Sequence, residues 1–242
     1  MGASVIMIAS CKGGVGKTTV TANVASALAA HGSRVLMIDC DFGMRCLDLV
    51  SGMTEVTYDV CDCVLNDVPL RKAVLTSEKN PRLMFLSAPY RYDGGLDPRN
   101  FGAFLRSASR ELELDFILLD THGGEGVEFG LAASVSDLAL VVTTQQPTAI
   151  RAAEETALRL REQGVTQTRL VINGYDKKAV KRRIYPGVIE LIDNTRVQLI
   201  GVVPRDEKLN FGMNAPHETE TVLAFSNIAK RISGRSVPLS VI

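Results

Sequence analysis

The chain has no excess of either charge, because its 242 residues include 27 Lys and Arg and 27 Asp and Glu. A neutral chain creates no overall field that would direct it to nucleic acid or to an anionic membrane, so any such contact must come from a local patch. The sequence also lacks an apolar run of the roughly 20 residues that span a bilayer. Its apolar runs are as short as β-strands and are bounded by polar turns, which excludes a membrane-spanning helix.

Paired cysteines and targeting signals are also missing. The five cysteines are an odd number and show none of the spacings of a secreted disulfide framework. The first residues, M-G-A-S-V-I-M-I, lack the basic start and the cleavage site of a signal peptide. We therefore expect a cytoplasmic protein with reduced thiols.

The sequence does contain an alternation of strand-like and helix-like segments. With 46% apolar residues, a chain of this length can bury one large core, which predicts a single domain over residues 1–242. The alternation predicts an α/β fold with a doubly wound, mostly parallel sheet of about seven strands and helices on both faces. The predicted strands are residues 5–9, 35–38, 83–87, 116–119, 138–143, 170–172 and 199–203, and the predicted helices are residues 18–31, 101–112, 150–163 and 221–232.

Two kinds of position support this reading of the fold. Gly32, Gly164 and Gly234 follow three of the predicted helices, where a left-handed C-cap residue is expected. Right-handed crossovers place the ends of parallel strands on one edge of the sheet, where ligands bind in such folds. We therefore expect the residues that follow the strands, such as Ser10, Asp39 and Asp120, to lie near the functional site.

The most informative segment is the loop S-C-K-G-G-V-G-K-T-T, residues 10–19, between the first strand and the first helix. Its glycines let backbone N–H groups surround phosphate oxygens at the positive end of the helix. Lys17 is expected to neutralise the β and γ phosphates of a nucleotide, and the Thr18 hydroxyl to ligate Mg²⁺. The alternative is a glycine-rich turn that binds nothing, which these spacings disfavour. The usual pattern G-x-x-x-x-G-K-[ST] is altered, since Cys11 occupies its first position and a second lysine, Lys12, follows.

This form of the loop resembles that of the deviant Walker A ATPases, the MinD/ParA family. The resemblance implies a P-loop NTPase fold, ATP as the substrate, Mg²⁺ as the cofactor and a homodimer that forms on ATP binding. It also implies that Lys12 reaches the phosphates bound by the other subunit, as an arginine finger would. The alternative for Lys12 considered alone is a solvated loop lysine, and the resemblance favours the role across the dimer. The resemblance assigns phosphate binding to Gly13, Gly14, Val15, Gly16, Lys17, Thr18 and Thr19.

Aspartates follow two neighbouring strands, at positions suited to holding Mg²⁺ and orienting an attacking water. Residues 39–49, D-C-D-F-G-M-R-C-L-D-L, resemble the switch I segment of MinD proteins. By this resemblance Asp41 acts in hydrolysis, together with Lys12 and Lys17. The residues that the resemblance places near magnesium are Thr18, Asp39 and Asp120, the two aspartates through water.

The resemblance has two departures. Cys46 stands where MinD proteins usually carry Asn, and residues 120–126, D-T-H-G-G-E-G, replace the usual D-x-P-A-G-I-E of the switch II segment. Switch segments pass the nucleotide state to partners, so the partner and its means of activation stay open. His122 of switch II could transfer a proton beside the γ phosphate, but phosphoryl transfer depends mainly on positioning and charge, and a surface histidine is the simpler interpretation.

Two later strands end in L-V-I-N-G-Y-D and L-I-G-V-V-P-R-D. The resemblance implies that Asn173, Pro204 and Asp206 hold adenine, with Gly174 in place of the common Arg. An Asn amide offers one donor and one acceptor to the edge of the base. The alternative for Asn173 is a loop cap.

Three further features bear on partners. Cys61 and Cys63 form a C-x-C pair, which resembles the pair shared between subunits in ATPases that insert nickel into carbon monoxide dehydrogenase. On a helix their side chains diverge, and the alternative is packing in the core. Residues 177–183 carry five Lys and Arg and form a patch for DNA or anionic lipid, or a solvated loop. Residues 235–242 are too short and too uncharged for the basic amphipathic helix of MinD proteins, so peripheral membrane contact would need a partner protein.

The leading hypothesis is a MinD-like ATPase, an ATP-dependent dimeric switch in division-site placement or related spatial regulation, which is slow until a protein activator or effector acts. A ParA-type DNA partition ATPase would need residues 177–183 to bind DNA. A metal-insertion ATPase would need Cys61 and Cys63 to bind nickel or zinc. A nucleotide-dependent scaffold that does not hydrolyse ATP is the fourth alternative, against which Lys17, Thr18 and Asp41 argue.

Overall fold

The computed structural model describes residues 2–124 and 126–239. Met1 of the segment tested for a signal peptide, Glu125 of switch II and residues 240–242 of the C-terminal segment lie outside the described residues. The strands are β1 (Ser4–Ala9), β2 (Val35–Cys40), β3 (Leu75–Thr76), β4 (Leu83–Leu86), β5 (Phe116–Thr121), β6 (Leu138–Thr143), β7 (Thr168–Tyr175) and β8 (Leu199–Pro204).

Helices separate most of these strands along the chain. They are α1 (Lys17–Ala30), α2 (Leu47–Ser51), α3 (Val60–Leu65), α4 (Leu70–Ala73), α5 (Pro98–Glu111), α6 (Val127–Ser134), α7 (Pro147–Glu162), α8 (Lys177–Lys181), α9 (Val188–Thr195) and α10 (Thr219–Ile232), with a 3-10 helix at Glu207–Phe211. Within the described ranges, no helix combines the length and the apolar character needed to cross a membrane.

The eight strands form one sheet in the order β3-β4-β2-β5-β1-β6-β7-β8. All neighbouring strands are parallel except β3, which pairs antiparallel with β4. The direction of the strand order reverses around β1, between β5 and β6, so the crevice at the carboxyl end of β1 is the position where doubly wound sheets bind ligands.

The central strands are buried on both faces, because helices cover the sheet from both sides. Alternate side chains of a strand point to opposite faces. Val5 and Met7 of β1 therefore join one apolar core together with α5, α6 and α7, whereas Ile6 and Ile8 join a second core with α1 and α10. This two-sided packing holds the strand ends, and the loops that follow them, in fixed positions.

The predicted α/β class and the parallel sheet are confirmed, and all seven predicted strands are present. The eighth strand, β3, was missed because two residues are too short to show any periodicity. The glycines predicted to follow α1, α7 and α10 adopt positive φ angles, as predicted.

Candidate functional site

The residues singled out at strand ends meet at the carboxyl edge of the sheet. Asp39 of β2 lies directly opposite Asp120 of β5 in the parallel register, and Ile8 of β1 lies on the other side of Asp120. The loop that follows β1 therefore passes over two neighbouring carboxylates. A phosphate group in that loop would lie beside both of them.

Other elements hold the glycine-rich loop in place from two sides. The N–H of Cys11 donates to Thr156 Oγ1 of α7 at 2.8 Å, and Asn173 Nδ2 of β7 donates to the carbonyl O of Val15 at 2.9 Å. Gly16, the last residue before α1, has a φ of 91°. A Cβ at Gly16 would overlap Asn173 Nδ2, so both the conformation and the space require glycine there.

The two lysines of the loop have different surroundings. Lys17 is buried, and its ammonium donates one long hydrogen bond, 3.4 Å, to the carbonyl O of Lys12. Burial lowers the pKa of Lys17, although the negative charges of Asp120 and Asp41 act to raise it. Lys12 is half-buried, and within residues 2–124 and 126–239 its ammonium has no ionic partner. Both ammonium groups therefore have donors available for an anion.

The two facing carboxylates are buried side by side. Burial raises the pKa of Asp39 to about 7, and the neighbouring charge of Asp120 adds to the effect. Burial likewise raises the pKa of Asp120 to about 6, against hydrogen bonds from the hydroxyls of Thr18 and Thr21 that lower it. Asp39 also accepts hydrogen bonds from the N–H groups of Asp41 at 2.9 Å and Leu47 at 3.1 Å.

This donor set fits a magnesium ion. Two carboxylates share one buried site with the Thr18 hydroxyl, and oxygen ligands are those that Mg²⁺ prefers. Burial raises the pKa values of Asp39 and Asp120, and a bound divalent cation would lower them again by stabilising the charged carboxylates. Because Asp39 is already bonded to the backbone of switch I, it connects this site to residues 41–47.

Nucleotide-free protein carrying Asp120→Asn should be more stable than wild type near pH 8, by on the order of 2 kcal/mol. The raised pKa values of Asp120 and Asp39 mean that folded wild type binds more protons than the unfolded chain between about pH 4 and 7. Its free energy of unfolding therefore falls as the pH rises through that window.

The measurement is denaturant unfolding of both proteins near pH 8 and near pH 5, where the gap should shrink. Asp193→Asn, at an exposed carboxylate of α9, serves as the matched control and should change neither value. A stability gap of the same size at both pH values would contradict the raised pKa of Asp120.

Asp41 lies at the mouth of the site, where switch I and switch II meet. Its Oδ1 accepts a hydrogen bond from the N–H of Met44 at 3.3 Å and lies 3.2 Å from His122 Nδ1. The negative charge of Asp41 acts to raise the pKa of Lys17. The sequence singled out both Asp41 and His122, but gave no sign that they touch.

Switch II also touches the phosphate loop. The N–H of Gly124 donates to the carbonyl O of Ser10 at 3.3 Å. Gly123 lies so close to the loop that a Cβ would be 2.9 Å from both N and Cα of Gly13 and 3.1 Å from Lys17 Nζ. Gly123 stands where the usual switch II pattern has Ala, whereas Gly124 matches the Gly of that pattern. In this structure the backbone of Gly123 lies against the loop with no room for a Cβ.

The three residues predicted to hold adenine lie near the ends of β7 and β8, but they differ in whether their polar atoms are available to a ligand. The Oδ1 atom of Asn173 is buried and has no hydrogen-bond partner in the described part of the chain, so it is open to a donor. Pro204 pairs with Tyr175 at the end of the sheet. Both carboxylate oxygens of Asp206 are already engaged by the backbone, since they accept hydrogen bonds from the N–H groups of Lys208 at 2.9 Å and Glu218 at 3.0 Å. Asp206 therefore shapes the turn that would form the wall of a base pocket.

Sequence reasoning missed several supporting residues. Thr156 of α7 accepts a hydrogen bond from the N–H of Cys11 in the phosphate loop, and Thr21 of α1 donates one to Asp120. A lone threonine in a helix gives no sequence signal of such a role. Arg45 of switch I is buried, pairs with Asp48 at 3.1 Å and lies 3.8 Å from the centre of the Tyr90 ring. The quoted switch I motif contains Arg45, but the motif does not indicate the contact with Tyr90.

The cysteine pair and the basic run lie on α3 and α8. Burial raises the pKa of Cys61 to about 12 and that of Cys63 to about 11, and nearby Asp59 and Asp62 add to both effects. A thiol binds metal as the thiolate, so this environment favours packing over metal binding. The Lys and Arg of residues 177–183 are all exposed, and Tyr175 is buried, so its ring is unavailable for stacking on a base.

A strand, a glycine-rich loop and a helix in this arrangement, at the switch point of a doubly wound sheet, define a P-loop nucleotide-binding protein. Residues 6–215 match the family described as the CobQ/CobB/MinD/ParA nucleotide binding domain. The chain belongs to this family.

Individual relatives extend the match over nearly the whole chain. The septum site-determining protein MinD of Synechocystis sp. is 31% identical over 243 residues, which cover 97% of this chain and 91% of that protein. MinD of Bacillus subtilis is 31% identical over 247 residues, which cover 98% of this chain and 91% of that protein. The MinC:MinD cell division protein complex of Aquifex aeolicus contains a chain with a TM-score of 0.87 and 30% identity, with 98% of each chain covered.

Proposed function

We propose that this protein is a MinD-like ATPase, a dimeric switch that forms with ATP, hydrolyses it to ADP and phosphate, and acts in division-site placement or related spatial regulation. The observation that carries the proposal is the phosphate loop with its second lysine, Lys12, whose ammonium has no ionic partner in the described part of its own chain. The near full-length similarity to MinD proteins supports the same function.

In this mechanism the loop holds the phosphates of ATP. Backbone N–H groups of residues 13–19 donate to the phosphate oxygens at the start of α1. The buried ammonium of Lys17 neutralises the β and γ phosphates. Lys12 reaches the phosphates bound by the second subunit, so that two copies close around two nucleotides.

The magnesium ion would be held by Thr18 directly and by Asp39 and Asp120 through water. When bound, it supplies positive charge to the phosphate oxygens. Asp41 orients the attacking water, for which its partly exposed carboxylate at the mouth of the site is suited. Charge on the transferred phosphoryl group is offset by Lys17 and Lys12.

The base of ATP would lie near the ends of β7 and β8. The unpartnered Oδ1 of Asn173 suits the amino group of adenine, and the turn from Pro204 to Asp206 forms the wall beside it. Since Asn173 Nδ2 holds the carbonyl O of Val15, base binding and phosphate binding are connected through one side chain.

The same comparison supports a proposal about partners. We infer a protein effector, as in the MinC:MinD complex of Aquifex aeolicus, and a protein activator that speeds slow basal turnover. We infer a cytoplasmic location with membrane contact through a partner. DNA is the weaker alternative, because it depends on the exposed basic run alone, residues 177–183.

The test is phosphate release by purified wild type with Mg²⁺ and ATP, compared with ATP plus a chelator. A slow, magnesium-dependent release, about 1 s⁻¹ or less, is expected before any activator is added. Binding of ATP without phosphate release would contradict the proposal and leave a nucleotide-dependent scaffold.

A further inference from the structure

We infer that His122 is a positioning residue for ATP hydrolysis, whose Nδ1–H holds the carboxylate of Asp41 in the orientation that receives the attacking water. The contact that carries the inference is the 3.2 Å separation of His122 Nδ1 and Asp41 Oδ1. A carboxylate only accepts hydrogen bonds, so the imidazole is the donor at Nδ1. The inference rests on the proposed function and adds to it a residue that links switch II to switch I.

The backbone on both sides of His122 is fixed. Before it, the hydroxyl of Thr121 donates to the carbonyl O of Ile8 at 2.7 Å. After it, Gly123 lies against Gly13, and the N–H of Gly124 donates to Ser10. A side chain between two such anchors keeps a defined position relative to the phosphate loop.

The hydrogen bonds of Asp41 divide unequally between its two oxygens. Oδ1 is engaged by His122 and by the N–H of Met44, whereas Oδ2 has no hydrogen-bond partner among residues 2–124 and 126–239. The Asp41 side chain is 22% exposed, so water reaches it. With Oδ1 held, Oδ2 is the oxygen that can accept a hydrogen from an attacking water.

This role differs from proton transfer by the imidazole. A positioning donor needs one N–H at the place of Nδ1. A residue that cannot act as a general acid or base can supply it. The amide Nδ2 of asparagine lies close to the place of Nδ1, whereas the amide of glutamine is one methylene further out. His122→Asn should therefore keep the function, whereas His122→Gln and His122→Ala should lose it.

The test compares kcat and KM for ATP in wild type and these three variants. His122→Ala should lower kcat by about 10-fold or more, because a hydrogen bond to a charged group is lost, and should leave KM within about 2-fold. His122→Asn should recover most of kcat, and His122→Gln should not. In an Asp41→Ala background, His122→Ala should have no further effect.

His31→Asn is the matched control, because His31 caps the far end of α1 and contacts Ser226 at 3.0 Å. It should not alter kcat. The ¹⁵N spectrum of the His122 ring in nucleotide-free wild type should place a hydrogen on Nδ1, and Asp41→Ala should remove that preference.

Each other outcome counts against the inference. Unchanged kcat in His122→Ala overturns the positioning role and leaves the ATPase proposal intact. Equal loss in His122→Asn and His122→Ala overturns it in favour of proton transfer or packing. Wild type that binds ATP but releases no phosphate overturns both the inference and the proposed function.

Discussion

Replacing Asp41 with alanine is expected to lower ATP turnover by about 10²-fold or more and to leave the ATP-bound dimer intact. Asp41 lies at the mouth of the site, and among the described residues its Oδ2 has no hydrogen-bond partner and its side chain makes no hydrogen bond to the phosphate loop. Its loss should therefore remove the alignment of water while Lys17 and Lys12 still hold the nucleotide. The dimer should then persist for longer, because the hydrolysis step that ends it is slowed.

The measurement combines phosphate release with oligomeric mass in Mg²⁺ and ATP. Asp193→Ala, at an exposed aspartate of α9, is the matched control and should behave as wild type in both assays. Retention of wild-type turnover by Asp41→Ala would remove Asp41 from the mechanism. A monomeric variant without turnover would indicate that Asp41 acts in dimer formation instead.

Gly123→Ala, which adds a single methyl group, is expected to lower both ATP affinity and turnover, each by about 10-fold or more. The new Cβ would lie 2.9 Å from the backbone of Gly13 and 3.1 Å from Lys17 Nζ, which is closer than such atoms approach. Because the nearest neighbour is backbone, the clash can be relieved only by moving switch II or the phosphate loop. Either movement displaces groups that must be placed to within a fraction of an ångström.

Gly130→Ala provides the control for the Gly123 variant. Gly130 is also a glycine close to switch II, but it lies in α6, where no described atom outside the surrounding helix backbone lies within 4 Å of an added Cβ. Alanine there should leave ATP affinity unchanged and raise stability slightly, since alanine favours helices. Affinity measured by nucleotide titration distinguishes the two variants. Unchanged affinity and turnover in Gly123→Ala would mean that this contact opens when the nucleotide binds.

The fold was predictable because its signals are local. Seven buried strands appear as short runs of Val, Ile and Leu, and the four long helices show apolar residues at helical spacing. The glycine-rich loop between β1 and α1 was predictable for the same reason, since its glycines, lysines and threonines stand at fixed spacing within one segment. The strand β3 was not predicted, because its two residues pair with β4 but are too few to show a sequence pattern.

The contacts that build the site were less predictable, because they join distant parts of the chain. The facing of Asp39 and Asp120 depends on strand register, which no local pattern determines. The bond from Asn173 to Val15 and the contact between His122 and Asp41 depend on how loops from different strands meet. The sequence identified the side chains of Asn173, His122 and Asp41 as candidates, but their partners required the structure.

The most direct test of the ATP-gated switch follows the oligomeric mass and the phosphate released by one sample after a limited amount of ATP is added with Mg²⁺. For wild type, the mass should double on addition of ATP and return to that of the monomer as phosphate is released. In Lys12→Ala, the mass should stay that of a monomer, because the lysine proposed to reach the second nucleotide is missing. Wild type that stays monomeric with ATP, or whose dimer persists after all the ATP is consumed, would contradict the switch.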